Sequence, residues 1–421
     1  PIDPINNFGY FITNEGNYGT GNGSVSYVSS NGIIQNDVFF NQNSALLGDV
    51  VQSMTIINDN AYIAVNNSSK IEVVNKSDMI HLATIMVSQP RYIAQVSNNK
   101  AYVTSWGNNT VEVIDLSTNT VINSISCGVG PESITVYNGL AYITNIGGWG
   151  FDNTITVIDI ASDMVVSTIN VGDKPNSAQI DANGDIWVLC GGYTEYDPNT
   201  WAVISQTTGN LVKIENNTIV ESYSFPIGNH PSNLVINESG NTLYYIDGGS
   251  VYSFDINSSA LSTTPIINKN FYGLGSNDGY IYGSDVLDYQ QNGWSYRYTE
   301  SGAIIDSVQV GMIPVGYCFI NSGCTDPTAL NYDPTANTDD GSCIPIVFGC
   351  TDPCNSCMYN PLANADDGSC TFNIACSYYG CTDSLADNFD LNACYEDGSC
   401  IYACDAKPTG LNTYDITDTR F

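Results

Sequence analysis

The chain has 421 residues, of which 43 are acidic and 10 are basic, so its formal net charge is −33 at pH 7. A surplus of this size repels phosphate backbones and anionic lipid surfaces, so nucleic-acid binding is not expected. No run of about 18 apolar residues is present, so direct membrane insertion is not expected either. Of the 14 cysteines, eleven lie between Cys324 and Cys404. This density favours an oxidising location, either extracellular or on the outer cell surface.

Residues 1–322 repeat a unit in which a turn, usually ending in proline, precedes a short apolar strand, as in "SQPRYIAQV" and "GVGPESITV". A second strand such as "AYVTS" follows, and a third and a fourth complete the unit. Four short strands in about 40 residues predict one blade of a β-propeller, whereas the alternative, a parallel β-helix, usually has shorter repeats. Seven anchor positions, spaced by 39 to 56 residues, mark the units: Val51, Pro90, Pro131, Pro175, Pro231, Tyr272 and Pro314.

The two ends of this region complement each other. The opening "GYFITN" is a second strand with no first strand before it, and "PVGYCFIN" (residues 314–321) is a first strand with no second strand after it. The sequence therefore predicts an all-β, seven-bladed propeller that closes by joining its C-terminal strand to the N-terminal three. Closure removes the exposed sheet edges that would otherwise invite aggregation.

The segment "AYVTSWGNNTVEVIDLSTNTVINSISCGVGPESI" resembles the YVTN-type surface propeller repeat, and the resemblance covers most of residues 8–321. The opening "FITNEGNYGTGNGSVSYV" is similar to the start of surface propellers common in Bacteroidetes. The resemblance implies a propeller exposed at the cell surface. Some relatives of this type capture small ligands, cobalamin among them, beside outer-membrane transporters. The repeat is specific for the fold and leaves the ligand open.

Residues 323–404 hold three copies of one pattern, the first being "GCTDPTALNYDPTANTDDGSC". The pattern resembles short repeats of secreted multidomain proteins that use type IX secretion. About 20 residues cannot build an adequate core, so disulfides are expected to stabilise each copy. The first and last cysteines of the copies are the candidates: Cys324, Cys343, Cys350, Cys370, Cys381 and Cys400.

The remaining cysteines of this segment leave two points open. Eleven is an odd number, so one cysteine needs a partner outside the segment, and Cys318 is the nearest candidate. Zinc held by Cys350, Cys354 and Cys357 is the alternative to disulfides, although no histidine lies nearby.

Each copy also ends in an acidic turn, and the segment holds twelve carboxylates without a single Lys or Arg. Clustered carboxylate and amide oxygens suit a hard cation, so Ca²⁺ is the candidate cofactor. The alternative is a solvated turn in which Asp-Gly supplies the geometry. The candidate metal ligands are Asp326, Asp333, Asp339, Asp340, Asp352, Asp366, Asp367, Asp383, Asp390 and Asp397.

Residues 405–421 resemble the first strand of a fibronectin type III domain. We therefore expect this protein to be part of a larger multidomain chain, with residues 1–322 as the propeller, 323–404 as a stalk or linker, and 405–421 as the start of a further domain.

Large aromatic residues concentrate in turns that enter first strands or leave second strands, and both kinds of turn share one face of a propeller. Only Trp187 is expected inside a strand. The longest insertion in a repeat unit, residues 191–205, is expected on the same face, where lengthened loops often build a binding surface. Of the two histidines, His230 is the better functional candidate. The candidate ligand-binding residues are Tyr18, Arg91, Tyr92, Trp106, Trp149, Phe151, Tyr193, Tyr196, Trp201, His230 and Trp294.

Three functions are open at this point. The first is a secreted or cell-surface binding or adhesion protein, whose propeller face binds a surface glycan, a small ligand or a protein partner. The second is a small-ligand capture protein, similar to cobalamin-binding relatives, beside an outer-membrane transporter. The third is a propeller enzyme such as a lyase or lactonase. No nucleophile elbow, P-loop, zinc-protease helix or dinucleotide fingerprint is present, so the chain is not expected to be an enzyme.

Overall fold

The computed structural model describes residues 5, 9–326, 328–331, 333, 336–352, 359–370, 379–391 and 393–402. These residues form two compact units, one within residues 1–325 and 334–341 and the other within residues 326–333 and 342–421. The predicted further domain at 405–421 lies outside the described residues. In the part of the chain that the structure describes, no helix is long and apolar enough to cross a bilayer.

The first unit is a seven-bladed β-propeller, as the repeat predicts. Seven antiparallel sheets each begin with a first strand that starts at or directly after a predicted anchor. From blade 1 to blade 7 the first strands are Pro314–Ile320, Val51–Ile57, Pro90–Ser97, Pro131–Tyr137, Pro175–Ile180, Ser232–Ile236 and Gly273–Asn277. The second strands are Gly9–Asn14, Asn60–Val65, Lys100–Ser105, Leu140–Asn145, Ile186–Cys190, Thr242–Asp247 and Tyr280–Asp285.

The outer strands complete the blades. The third strands are Ser24–Ser29, Lys70–Asn75, Thr110–Asp115, Thr154–Asp159, Asn210–Glu215, Ser250–Asp255 and Asn292–Thr299. The fourth strands, in blades 1 to 5 and 7, are Ile34–Gln35, His81–Met86, Thr120–Ser126, Met164–Asn170, Thr218–Ser224 and Ile304–Met312. A short helix, Val38–Asn43, precedes blade 2. A hairpin of Thr194–Tyr196 and Val203–Gln206 is inserted in blade 5.

Blade 6 differs from the prediction of four strands, because its sheet has three. In the segment after the third strand, Ile267 forms a single bridge with Val251. Pro265 lies two residues before Ile267, and a proline cannot donate to a strand ladder. The polar run "NSSALSTT" before it lacks the alternating pattern of a strand.

The ring closes as predicted. The strand Pro314–Ile320 pairs antiparallel with Gly9–Asn14, with Gly9 opposite Ile320. Each first strand also contacts the first strands of both neighbouring blades, all the way round the ring. The first strands therefore surround the central channel that a propeller encloses.

The hydrophobic core is divided among the blade interfaces. In the described residues, seven clusters of buried side chains each join two neighbouring blades, one cluster for each interface. Second strands are buried along almost their whole length because blades cover both of their faces, as in Asn60–Val65. Fourth strands are mostly exposed, as in Thr120–Ser126.

The three Cys-rich copies repeat one local structure. In each copy the two residues before the first cysteine form a short parallel pair with the two residues at the start of the acidic turn. The pairs are Ser322–Gly323 with Thr338–Asp339, Phe348–Gly349 with Ala365–Asp366, and Tyr379–Gly380 with Tyr395–Glu396.

Disulfides link the two ends of the second copy and of the third copy. Cys350 is bonded to Cys370 and Cys381 to Cys400. Cys324, Cys343 and Cys394 are also disulfide-bonded. The disulfide prediction is thus confirmed at Cys350, and the zinc alternative is excluded there; the other ligands of that alternative, Cys354 and Cys357, lie outside the described residues.

The predicted outside partner, Cys318, forms no disulfide with any described residue. That prediction is wrong because the Cys318 side chain belongs to the buried core between blades 1 and 2. Cysteines 127 and 190, within the propeller, are free as well. Disulfides persist in oxidising compartments, so the bonded cysteines fit a non-cytoplasmic protein.

Candidate functional site

The turns that enter first strands and leave second strands lie at one end of the channel, because neighbouring strands run antiparallel. We call this end, with the turns around it, the channel mouth. The residue at the start of each first strand, directly after the anchor, occupies an equivalent place in the ring. These equivalent residues are Val315, Gln52, Arg91, Glu132, Asn176, Ser232 and Gly273.

Three consecutive members of this ring are hydrogen-bonded. Arg91 forms a bidentate pair with Glu132, through Nε to Oε2 at 2.9 Å and Nη2 to Oε1 at 2.7 Å. Its third nitrogen, Nη1, donates to the Gln52 side-chain oxygen. Glu132 is buried, and Arg91 is largely buried too. A bidentate geometry with further hydrogen bonds is what a buried ion pair needs to offset the loss of water.

The burial of this cluster shows in its pKa values. Burial alone would lower the pKa of Arg91, but the Glu132 carboxylate beside it holds that pKa above its ordinary value. Burial raises the pKa of the neighbouring Tyr92 phenol to about 12, and the charge of Glu132 acts in the same direction. Arg91 thus stays cationic and Tyr92 stays neutral at physiological pH.

A second carboxylate, Glu15, enters the mouth directly after the second strand of blade 1. Its Oε2 accepts a 3.2 Å hydrogen bond from the hydroxyl of Tyr272, the anchor of blade 7. Burial raises the pKa of Glu15, while the positive charge of Arg91 and the Tyr272 hydroxyl partly offset this. The Tyr272 ring meets Tyr289 edge to face, with 6.0 Å between centroids.

An aromatic pair lies next to the guanidinium. The Arg91 guanidinium is 4.0 Å from the Trp106 ring centroid, and Trp106 meets Trp149 edge to face at 6.1 Å. The Trp106 indole N–H is buried and finds no hydrogen-bond acceptor among the described residues. Trp149 is 84% exposed. Gly130 permits this arrangement, because a Cβ there would lie 2.0 Å from the Gly148 nitrogen.

One loop supplies aromatic residues to two neighbouring blades. Residues 146–153, between the second and third strands of blade 4, carry both Trp149 and Phe151. Trp149 pairs with Trp106 of blade 3, whereas Phe151 meets Tyr193 of blade 5 edge to face at 5.3 Å. Lys174 lies 5.6 Å from the Tyr193 ring, and partial burial lowers the pKa of its amine. The four aromatic residues form a row across blades 3 to 5, which we call the aromatic ledge: Trp106, Trp149, Phe151 and Tyr193.

The long insertion at residues 191–205 contains a two-stranded hairpin. Its tip is capped by Asp197, whose Oδ1 accepts hydrogen bonds from the backbone of Asn199 and Thr200. Trp201 at this tip is 76% exposed and has a φ of 57°. Tyr196 is exposed on the same hairpin. The hairpin therefore presents two further aromatic side chains.

His230 ties the base of this hairpin to blade 6. Its Nδ1 donates to the carbonyl of Gly191 at 2.9 Å, and its Nε2 lies 3.0 Å from the Thr194 hydroxyl. Both ring nitrogens are thus engaged within the propeller, and we assign the side chain a positioning role.

Two other predicted residues lie apart from the ledge. Tyr18 is exposed in the turn between the second and third strands of blade 1. Trp294 is half-buried within the third strand of blade 7, opposite Asp285. The expectation that only Trp187 lies within a strand is therefore wrong. Trp187 itself is fully buried in the interface of blades 5 and 6.

The carboxylates of the Cys-rich copies are engaged in local turns. Asp326 accepts from the Thr328 backbone at 2.8 Å, Asp383 from Leu385 at 2.9 Å and Asp397 from Ser399 at 2.9 Å. Side-chain and backbone hydrogen bonds lower the pKa of each of these carboxyls. Similar bonds run from Gly341 to Asp339, from Gly368 to Asp366 and from Ser369 to Asp367.

The amide oxygens expected beside them are engaged as well. Asn331 Oδ1 accepts from the Ile344 backbone, and Asn388 Oδ1 accepts from Ile401, each at 2.7 Å. Among the described residues, the one converging group of Cys, His, Asp or Glu ligand atoms is Cys381, Glu396 and Cys400. Its two sulfurs are bonded to each other. Calcium binding stays a prediction.

Several residues of the mouth were not anticipated from the sequence. Glu132 and Gln52 occupy the same offset from the anchor as Arg91, so an alignment of the seven units could have pointed to them. Glu15 sits outside the repeated motif, and only ring closure brings it to Tyr272.

The fold and the mouth define a closed seven-bladed β-propeller with a polar channel entrance and an aromatic rim. The chain belongs to the family described as Domain of unknown function (DUF5074), whose match covers residues 8–304.

Solved structures show the same fold at low identity. A quinonprotein alcohol dehydrogenase-like protein from Bacteroides thetaiotaomicron is 14% identical, with a TM-score of 0.53 over 76% of this chain and 79% of that chain. A functionally unknown protein from Desulfotomaculum acetoxidans is 14% identical, with a TM-score of 0.54 over 74% and 98%. A 6-phosphogluconolactonase-like protein from Bacteroides fragilis is 11% identical, with a TM-score of 0.53 over 75% and 99%. At these identities the likeness concerns the fold alone.

A short stretch also matches a plant protein. Over 36 residues the chain is 61% identical to ribulose bisphosphate carboxylase/oxygenase activase 1, chloroplastic, from Larrea tridentata. The stretch is 9% of this chain and spans 6% of that protein's length. Such a short segment gives no basis for a shared activity.

Proposed function

We propose that this protein is a secreted or cell-surface binding protein whose channel mouth binds a surface glycan. The observation that carries the proposal is the aromatic ledge, with Trp149 84% exposed beside the polar cluster of Arg91. Large aromatic rings held in solvent at one functional face supply contact area at a low entropic cost. A pyranose ring offers an apolar face for such rings and hydroxyls for nearby polar groups.

The rigid base of the ledge supports this role. Trp106 is held between the guanidinium of Arg91 and the ring of Trp149. Arg91 is in turn held by Glu132 and Gln52. A binding surface whose anchors are already ordered loses less entropy when the ligand binds.

The second compact unit, residues 326–333 and 342–421, suits a stalk, and we call it the Cys-rich unit. Each copy is stabilised by disulfides rather than by a large core, so copies can be added in series without a growing hydrophobic interior. We propose an extracellular or outer cell-surface location, within a larger multidomain chain. A non-catalytic role is part of the proposal.

The test is a glycan-binding screen followed by titration of the strongest glycan. Trp149→Ala should weaken its affinity at least about tenfold. Phe348→Ala is the matched control, because it removes an aromatic ring that is 65% exposed in the Cys-rich unit. Equal affinity in the wild type and the Trp149→Ala variant would contradict the proposal.

A second candidate function is capture of a small soluble ligand in the mouth itself. The charged side chains of Arg91, Glu132 and Glu15 favour it, because they lie at the channel entrance close enough for Arg91 and Glu132 to influence the ionisation of Glu15. In that case Gln52→Ala would weaken binding more than Trp149→Ala does.

A further inference from the structure

Two carboxylates of the channel mouth, Glu132 and Glu15, differ in their access to a cation. Glu132 is paired with Arg91 by two hydrogen bonds. Among the described residues, no Lys, Arg or His lies within ion-pair distance of Glu15. Its Oε2 accepts a hydrogen bond from the neutral hydroxyl of Tyr272 at 3.2 Å. One half-buried carboxylate thus lacks a cation of its own.

The surroundings of Glu15 suit a cationic group. Tyr272 reaches Glu15 through its hydroxyl, the Tyr289 ring packs edge to face on Tyr272, and both tyrosines are partly exposed. An ammonium group gains both from a carboxylate and from aromatic faces, more so where water is partly excluded. Arg91 does not fill this role, because its donors point to Glu132 and Gln52 and its face covers Trp106.

Glu15 is electrostatically coupled to the base of the ledge. Both Arg91 and Glu132 influence the ionisation of Glu15, and the strand topology puts all three groups at the channel mouth. Trp106 packs on Arg91 and Trp149 packs on Trp106. Contacts therefore join the exposed Trp149 to Arg91, and the charge of Arg91 acts on Glu15.

We propose that Glu15 and Tyr272 form a subsite for the protonated amine of an amino sugar, whose ring or neighbouring ring lies on the ledge at Trp149. This inference rests on the proposed glycan-binding function and names the ligand class. The negative charge of the chain as a whole, −33, adds long-range attraction for a cationic saccharide.

The probes are chitotriose, which carries free amines, and its fully N-acetylated counterpart, which does not. Calorimetric titration in physiological salt at mildly acidic pH should show that the wild type binds chitotriose about tenfold tighter than the acetylated sugar. Glu15→Gln should abolish this preference, since it removes the charge while its amide oxygen can still accept from Tyr272. Thermal melting of the variant checks that it folds.

Glu238→Gln is the matched control, because it removes the same charge from an exposed turn at the opposite end of blade 6. The preference should survive in this variant. If Glu15→Gln and Glu238→Gln reduce it equally, the attraction is only that of net charge, and the subsite is wrong.

The outcomes separate the subsite from the proposed function. If both sugars bind in a Trp149-dependent way without preference for the amine, glycan binding stands and the amine subsite is overturned. If neither sugar binds, or if only a lysine-containing peptide binds, the amino-sugar assignment is overturned.

Discussion

The ammonium group of Lys76 donates a 3.3 Å hydrogen bond to the hydroxyl of Thr338. Lys76 follows the third strand of blade 2 and also donates to the carbonyl of Asn58 at 2.7 Å. Thr338 belongs to the first Cys-rich copy, and its neighbour Asn337 donates to the carbonyl of Phe319 in the closing strand at 2.7 Å. This part of the first copy therefore anchors the end of the strand that closes the ring.

Thr338→Val should lower the stability of the propeller. The substitution keeps the shape of the buried side chain but removes the acceptor for Lys76, which is itself buried. We expect the free energy of unfolding to fall by about 1 kcal/mol, measured by urea denaturation. Thr118→Val, in an exposed turn, should change it little. Equal effects of the two substitutions would contradict the anchoring role.

The two tryptophans of the ledge should differ in their effect on stability. Trp149→Ala should leave the free energy of unfolding within about 0.5 kcal/mol, because the ring is 84% exposed. Trp106→Ala should cost about 2 kcal/mol, since the half-buried ring packs between Arg91 and Trp149. Thermal and chemical unfolding of both variants provides the measurement. A similar loss in both would show that Trp149 is core packing.

Asp247 should make stability depend on pH. Burial raises the pKa of this carboxyl above 3.8, and the hydrogen bond from Asn229 and the charge of His230 only partly offset the effect. The folded state therefore holds the proton more tightly than the unfolded state. The contribution to stability is present below the unfolded pKa and is lost as pH rises through the raised folded pKa.

Asp247→Asn should remove this loss, because an amide can still accept from Asn229. The variant should gain stability relative to the wild type as pH rises from about 4 to 7 in urea titrations. Glu238→Gln, which changes an exposed carboxyl, should show no such trend. A constant difference between the variant and the wild type at all pH values would refute the assignment.

The free thiols of the propeller should be inert in the folded protein. Burial raises the pKa of Cys127 and of Cys318 to about 12 each, and it raises the pKa of Cys190 as well. Since the thiolate is the reactive form, an alkylating reagent at about pH 8 should leave all three unmodified. Peptide mass spectrometry should find them labelled only after denaturation. Labelling of Cys190 in the native protein would contradict its burial.

Reduction should open the Cys-rich unit while the propeller stays folded. Its copies depend on bonds such as Cys350–Cys370, and closing a loop of this size contributes about 3 kcal/mol. Limited proteolysis should then cleave within residues 342–402 before it cleaves the propeller. A chelator applied to the oxidised protein tests the calcium prediction. Faster cleavage would support calcium binding, and an unchanged cleavage rate would contradict it.

Much of the propeller could be predicted because its units repeat. Five prolines and their two substitutes mark the start of every first strand, and alternating apolar residues mark the strands that follow. Blade 6 departed from the pattern because Pro265 interrupts the place of its fourth strand. The loop aromatics could be assigned to one face because antiparallel pairing fixes which turns share an end. The packing of each aromatic ring could not be predicted, since the exposed fraction of the side chain depends on the neighbouring blade.

The sequence by itself determined the number of blades, the strand that closes the ring and the cysteines that close the small copies. Each of these follows from the spacing of repeated residues along the chain. Only the tertiary structure decided that Arg91 pairs with Glu132 across 41 residues and that Glu15 meets Tyr272 across 257. It also placed Cys318 in the core, away from any disulfide. The physical reason is that ring closure brings residues from distant units to one entrance, where burial and charge depend on neighbours that no local pattern records.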